Sequence, residues 1–166
     1  MPEIIKEIST PRGLGRLAFR APIWLYGLGL GWMLGERFLL LTHTGRKSGL
    51  LRKTVLEVVR HDNTSGVTYV ASGFGEKSDW YRNVMKEPRV WVQCGRKPGY
   101  EALAERSQPD DAELVLLDYA RRHPTAMREL ARFMGYRLDG SEADIRALGR
   151  MLPIIALRPI KPPVES

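Results

Sequence analysis

Thr54-Val55-Leu56-Glu57-Val58-Val59, then Asp62-Asn63-Thr64-Ser65-Gly66, then Val67-Thr68-Tyr69-Val70-Ala71 reads as strand, turn, strand. The outer runs are rich in β-branched residues, which suit a pleated, half-buried surface, and the central pentapeptide carries Asx and glycine turn chemistry. Upstream, Phe38-Leu39-Leu40-Leu41-Thr42 has the length of a buried strand. Downstream, Ser78 to Lys86 predicts a short helix, with Ser78 or Asp79 as its N-cap and Pro88 beyond its end. Arg89 to Cys94 is a further strand, Gly95-Arg96-Lys97-Pro98-Gly99 a turn, and Tyr100 to Arg106 the strand after it. Short connections between these strands favour an antiparallel sheet curled into a barrel over a parallel βαβ arrangement.

From Pro109 the pattern becomes helical. Asp110 to Arg122 places Leu114, Leu117, Tyr119 and Ala120 at helical intervals, and Pro124 breaks that helix before Thr125 to Met134 begins another. Ser141 to Arg150 is a third, with Ser141 and Asp144 spaced as a capping box. Pro153-Ile154-Ile155-Ala156-Leu157 returns as a last strand. The 166 residues, 43% hydrophobic, suit one α+β domain, mainly β with helices. Its parts are an N-terminal helical segment (1–35), the main strands and loops (36–106), the helices and final strand (107–158) and a loosely ordered tail (159–166).

The net charge of +7 calls for an anionic partner. Nucleic acid is disfavoured, because the basic residues form no long stripe with interleaved aromatics. The single cysteine, Cys94, excludes an intrachain disulfide and a cysteine-zinc cluster, which fits a cytoplasmic setting and a packed thiol. His43, His61 and His123 lack metal-site spacing, so no metal is expected. Glu3, Lys6 and Glu7 are out of order for a signal peptide. Residues 21–34 are an uncharged apolar run, short of the ~20 residues that span a bilayer as a helix. With Arg12, Arg16 and Arg20 before it, and Trp24, Tyr26 and Trp32 within it, segment 12–34 suits either peripheral contact with an anionic membrane or a glycine-loosened helix packed over the core. A strand edge left by a half-barrel would favour a homodimer.

Chemistry concentrates in two loops. Thr42-His43-Thr44-Gly45-Arg46-Lys47-Ser48-Gly49, with Arg52 and Lys53, gathers four cations, hydroxyls and two glycines where two strands join. Side chains and backbone N–H groups there can converge on phosphate oxygens, and the bland alternative is a solvated hairpin tip. It is not a Walker loop, because the Gly-x-x-x-x-Gly-Lys-Ser spacing is absent and a strand follows. In Ala71-Ser72-Gly73-Phe74-Gly75-Glu76-Lys77-Ser78-Asp79-Trp80-Tyr81-Arg82-Asn83, two glycines allow close backbone approach to a ligand and the helix start offers N–H groups. Trp80 and Tyr81 either flank a planar ring or serve as core and rim.

The order of these motifs, an apolar strand, Thr-x-Thr-Gly-Arg-Lys-Ser-Gly, Arg52, a strand pair, Ala-Ser-Gly and Trp-Tyr-x-Asn before Pro-Arg-Val, resembles the deazaflavin-dependent nitroreductase family, relatives of the split-barrel flavin reductases. The resemblance runs from Phe38 to Arg106 and extends to the Leu-Pro-Ile-Ile-Ala-Leu strand at 152–157. It implies a split β-barrel that binds coenzyme F420, with FMN as the alternative cofactor. Arg46, Lys47, Ser48, Gly49 and Arg52 would hold the phosphate and acidic tail, with Thr44, Gly45 and Thr54 beside them. Ala71, Ser72, Gly73, Lys77, Ser78, Trp80, Tyr81 and Asn83 would surround the ring end. The expected reaction is hydride transfer to an electron-poor small molecule such as a quinone, an enone or a nitro compound, with Ser72, Tyr81 or Tyr136 as catalytic hydroxyls. Glu57 would be a proton donor if buried and an ordinary strand carboxylate otherwise. This chain has Gly73 where many relatives carry a lysine, Glu57 where a tyrosine commonly lines the substrate side, and Arg128, Glu129 and Phe133 in a segment elsewhere rich in tyrosine. These departures point away from nitroimidazole activation. A reading of another class is a non-enzymatic, membrane-associated carrier of cofactor or quinone.

Overall fold

A computed structural model of the protein describes residues 2–4 and 35–161. In chain order its elements are β1 (Glu3–Ile4), β2 (Phe38–Thr44), β3 (Leu51–His61), β4 (Thr68–Ala71), a 3-10 turn (Gly75–Lys77), α1 (Asp79–Lys86), β5 (Arg89–Cys94), β6 (Tyr100–Arg106), α2 (Pro109–Arg122), α3 (Pro124–Phe133), β7 (Tyr136–Arg137), α4 (Glu142–Met151) and β8 (Ile154–Pro159). Six strands close into an antiparallel barrel in the order β2-β3-β4-β8-β6-β5, the mixed α+β architecture expected.

Strand alternation sorts side chains to the two faces of the barrel wall. Leu39 and Leu41, Leu56, Val70, Val90 and Val92, Ala102 and Ala104, and Ile155 and Leu157 fill the interior together with Trp80, Tyr81 and Val84 of α1. Alternation on β3 turns Leu56 and Val58 to the interior, whereas Val59 joins a second core outside the wall. A register shift in the β3–β4 ladder follows, between Val58 and Arg60. That second core is formed by Leu116 and Tyr119 of α2, Met127 and Ala131 of α3 and Leu148 of α4, packed over Val59 and Ile154. Gly149 lets α2 and α4 cross closely, since a Cβ there would lie 2.8 Å from the Glu113 Cα.

Local chemistry explains most boundaries. Asp62 Oδ1 accepts from the Thr64 N–H and Asp62 Oδ2 from the Ser65 hydroxyl, which builds the turn between β3 and β4. Ser141 caps α4 by accepting from the Asp144 N–H at 3.2 Å. Two prolines open α2 and α3, where a missing N–H costs nothing.

The structure departs from the sequence reading at three places. β3 starts at Leu51, so Arg52 and Lys53 are strand residues paired with His43 and Thr42, because β2 runs on through Thr44 and supplies their ladder. β1 and β7 pair with each other over two residues each, too short for any periodicity to announce them. β8 continues through Pro159 and the Ile160 N–H donates to Glu101 O, so the chain stays paired into the segment expected to be a tail. Nearly all of the expected N-terminal helical segment, including its apolar run and the 12–34 membrane contact, lies outside the described residues. Among the described residues no helix is long and apolar enough to cross a membrane. Cys94 packs against the barrel interior with its thiol donating to Phe38 O, and burial pushes its pKa up, away from a reactive thiolate.

Candidate cofactor site

The turn joining β2 to β3 is closed by its own backbone, with Gly45 N–H donating to Leu50 O and Gly49 N–H to Gly45 O, each at 2.8 Å. A Cβ at Gly45 would sit 2.8 Å from Ser48 Oγ and 3.3 Å from Leu50 O, so this close approach needs glycine. Gly49 adopts φ +69°, which glycine enters without steric cost. Lys47, Ser48, Arg52 and Lys53 are exposed, and none of the three cations has a carboxylate partner among the described residues. Gly45 is buried, with Thr44 and Thr54 half-buried beside the turn on β2 and β3. Free cations, a serine hydroxyl and a glycine turn form a donor set that fits a phosphate or carboxylate, so the residues present suit the acidic end of the cofactor.

Arg46 behaves differently from its neighbours. Its backbone N–H and Nη1 both donate to Asn83 Oδ1, at 3.1 and 2.9 Å, its Nη1 also reaches Asp79 O, and its Nη2 donates to Asp79 Oδ1 at 3.1 Å. Its side chain is 20% exposed. A guanidinium has five N–H donors, so Nε–H and one Nη2–H remain for an anion while the rest tie the turn to α1. Lys86 Nζ adds a bond to Arg46 O at 2.9 Å. Asn83, expected near the ring, accepts from Arg46 of the cationic turn, and behind it lies His43, which the sequence reading quoted without a role. His43 follows Leu39 and Leu41 in the alternation of β2, so its inward direction was legible. It is 4% exposed, and burial, with the Arg52 guanidinium adding and Asp79 opposing, pushes its pKa down to about 4.

The residues expected at the ring end are divided by the barrel wall. Ser72 is fully buried, with its hydroxyl donating to Gly75 O at 2.7 Å. Ala71 packs on the outer core, and the Gly73 position faces Met134, where a Cβ would meet Cγ at 3.4 Å. Trp80 and Tyr81 are members of the interior core, and the Tyr81 hydroxyl accepts from Arg106 Nη1 at 2.9 Å, while Arg106 also pairs with Glu76. Ser78 is buried at the start of α1 without a side-chain cap bond, and Lys77 is exposed. Tyr136 packs against the outer core. Of the three candidate catalytic hydroxyls, only that of Tyr136 has no hydrogen-bond partner among the described residues.

Glu57 lies on the outer wall, where its Oε1 accepts from the Tyr119 hydroxyl and from Arg37 Nε at 3.3 Å. Burial and this carboxylate push the Tyr119 phenol well above its ordinary value. Two cavities lie elsewhere. One, of about 60 Å³, is bounded by Tyr69, Glu105 and Arg158; the other, of about 360 Å³, lies between α2, α3 and α4 and is lined by Leu117, Met127, Arg128 and Leu138. Neither includes a residue of the cationic turn.

Residues 26–132 match the model of the F420H(2)-dependent quinone reductase family. Among solved structures, an F420-H2 dependent reductase is similar at 23% identity over 75% of this chain and 96% of its own, with a TM-score of 0.52. A protein solved as a domain-swapped dimer is similar at 22% identity over 83% of this chain and 100% of its own, with a TM-score of 0.52. A Listeria innocua protein named for pyridoxamine 5'-phosphate oxidase shares the fold at 14% identity over 82% of this chain and 94% of its own, with a TM-score of 0.51.

Proposed function

The chain belongs to the F420H(2)-dependent quinone reductase family and is an F420H2-dependent reductase; on that premise we propose that its acceptor is a quinone-type small molecule and that the β2–β3 turn grips the coenzyme's acidic end. The observation that carries the reading is the glycine-closed turn with Lys47, Ser48, Arg52 and Lys53 exposed and the cations without acidic partners among the described residues. The bound coenzyme supplies the hydride. Arg46, anchored on Asn83 and Asp79, holds the turn in place and offers its two spare N–H groups. Ala71, Ser72 and Gly73 would present backbone to the ring end, with Ser72 holding the shape of that loop through Gly75 O. The phenol of Tyr136, without a hydrogen-bond partner among the described residues, is the hydroxyl we assign to negative charge developing on the acceptor.

The test supplies reduced F420 and a simple benzoquinone to the purified protein and follows the return of the oxidised deazaflavin band. Oxidation coupled one to one with quinone loss, above the enzyme-free rate, supports the assignment. Turnover with nitro compounds or enones but not with the quinone would replace the acceptor while leaving the coenzyme in place.

A homodimer is also part of this proposal. Trp91 and Leu103, 46% and 44% exposed, lie on adjacent strands β5 and β6, with Trp91 paired to Glu101 two residues from Leu103. Such a pair on an outer sheet face suits burial against a second copy. Sedimentation velocity should then give about twice the 18.8 kDa chain mass, and a monomer at micromolar concentration would remove the dimer.

A further inference from the structure

The shape of the cationic turn depends on an amide whose orientation is set from inside the barrel. Asn83 is 5% exposed, and its Oδ1 faces outward to accept both the backbone N–H and Nη1 of Arg46. A carboxamide carries its oxygen and its NH2 on opposite sides, so this orientation aims Nδ2 inward, where a buried donor must find an acceptor. It finds His43 Nδ1 at 3.2 Å. Nδ1 accepts only when it carries no proton, which places the imidazole proton on Nε2. Turning the amide over would face its NH2 against two Arg46 donors, so the network is satisfied one way round.

We propose that His43 is a positioning residue of the cofactor site: by accepting from Asn83 it holds the amide oxygen on Arg46 and keeps the 45–49 turn in the shape that presents Lys47 and Ser48 beside Arg52 of β3. The role in cofactor binding rests on the function proposed above; the role in shaping the turn does not. The charged groups around His43 agree with a neutral acceptor. Arg52 faces it across the β2–β3 ladder and opposes a second positive charge, while Asp79 of α1, which would favour one, is already paired with Arg46.

Two substitutions separate the hydrogen bond from packing. His43→Leu keeps bulk and removes the acceptor; His43→Asn loses bulk but puts an amide oxygen close to where Nδ1 stood. In the full chain, His43→Leu is expected to shift the backbone amide resonances of Gly45 to Gly49 and to weaken F420 binding about tenfold, the loss of one buried hydrogen bond. His43→Asn should stay close to wild type in both readouts. Turn resonances unmoved by His43→Leu, or equal losses in the two variants, would overturn the proposal. If wild type fails to bind F420 while the turn still responds to His43→Leu, the positioning role stands and the cofactor assignment falls. Should His43→Leu fail to fold, nitrogen chemical shifts of His43 in the wild-type protein decide: a protonated Nε2 with bare Nδ1 is expected, and a proton on Nδ1 overturns the proposal.

Discussion

A Lys47→Ala, Arg52→Ala double variant is expected to bind coenzyme F420 about 10²–10⁴-fold more weakly than wild type, with its fold intact. Each charge-assisted hydrogen bond to an oxyanion contributes about 1.5–3 kcal/mol. Two lost together amount to roughly 3–6 kcal/mol, and each 1.4 kcal/mol is tenfold. The fold should survive because both side chains are exposed and hold no partner among the described residues. Arg46→Ala makes a different prediction: it removes the guanidinium donors to Asn83 and Asp79 and leaves Asn83 only the backbone N–H, so it should lower stability as well as affinity. Calorimetry at two salt concentrations checks the first case. Wild-type affinity should fall with salt and the double variant should respond less steeply, since two of the screened charges are gone while Arg46 and Lys53 remain. An unchanged dissociation constant would move the coenzyme's acidic end away from this turn.

Acidification should destabilise the protein between about pH 6.5 and pH 4 through His43. The unfolded chain binds a proton at the ordinary histidine value near 6.5, whereas burial holds the folded value at about 4. Within that window the unfolded state binds more protons, so stability is fully present above the window and is lost as pH falls through it. The gap corresponds to on the order of 3 kcal/mol. Urea denaturation across this range, on wild type and on His43→Asn, isolates the contribution. Asp62, Asp139 and Glu142, whose carboxyl values are lowered by their hydrogen bonds, lose their contribution only as pH falls through the carboxylate range, and they remain in both proteins. An acid limb of the same size in His43→Asn would contradict a buried neutral His43.

How much of this could be read in advance depended on what each residue had to do. The strands from Phe38 to Arg106 were legible because alternation and Asx or glycine turns are local properties, and the observed β5 and β6 match their expected limits. The β1–β7 pairing was not, because it joins residues more than 130 positions apart through two-residue strands. In the site, the cations of the turn were legible from composition. Their division of labour was not: Arg46 looks like Lys47 and Arg52 in sequence and differs only because α1 brings Asn83 and Asp79 beside it. Trp80 and Tyr81 suited either a ring clamp or a core, and they became core because α1 is inserted at the barrel interior with Val84. His43 was the avoidable omission, a polar residue in phase with two inward leucines.

The central claim is the coenzyme, and the most direct measurement is a fluorescence titration of the full-length protein with F420 and, separately, with FMN. Saturable binding of F420 at micromolar or lower concentration, with FMN failing to saturate, is the predicted result. Saturable binding of FMN with none of F420 would contradict it.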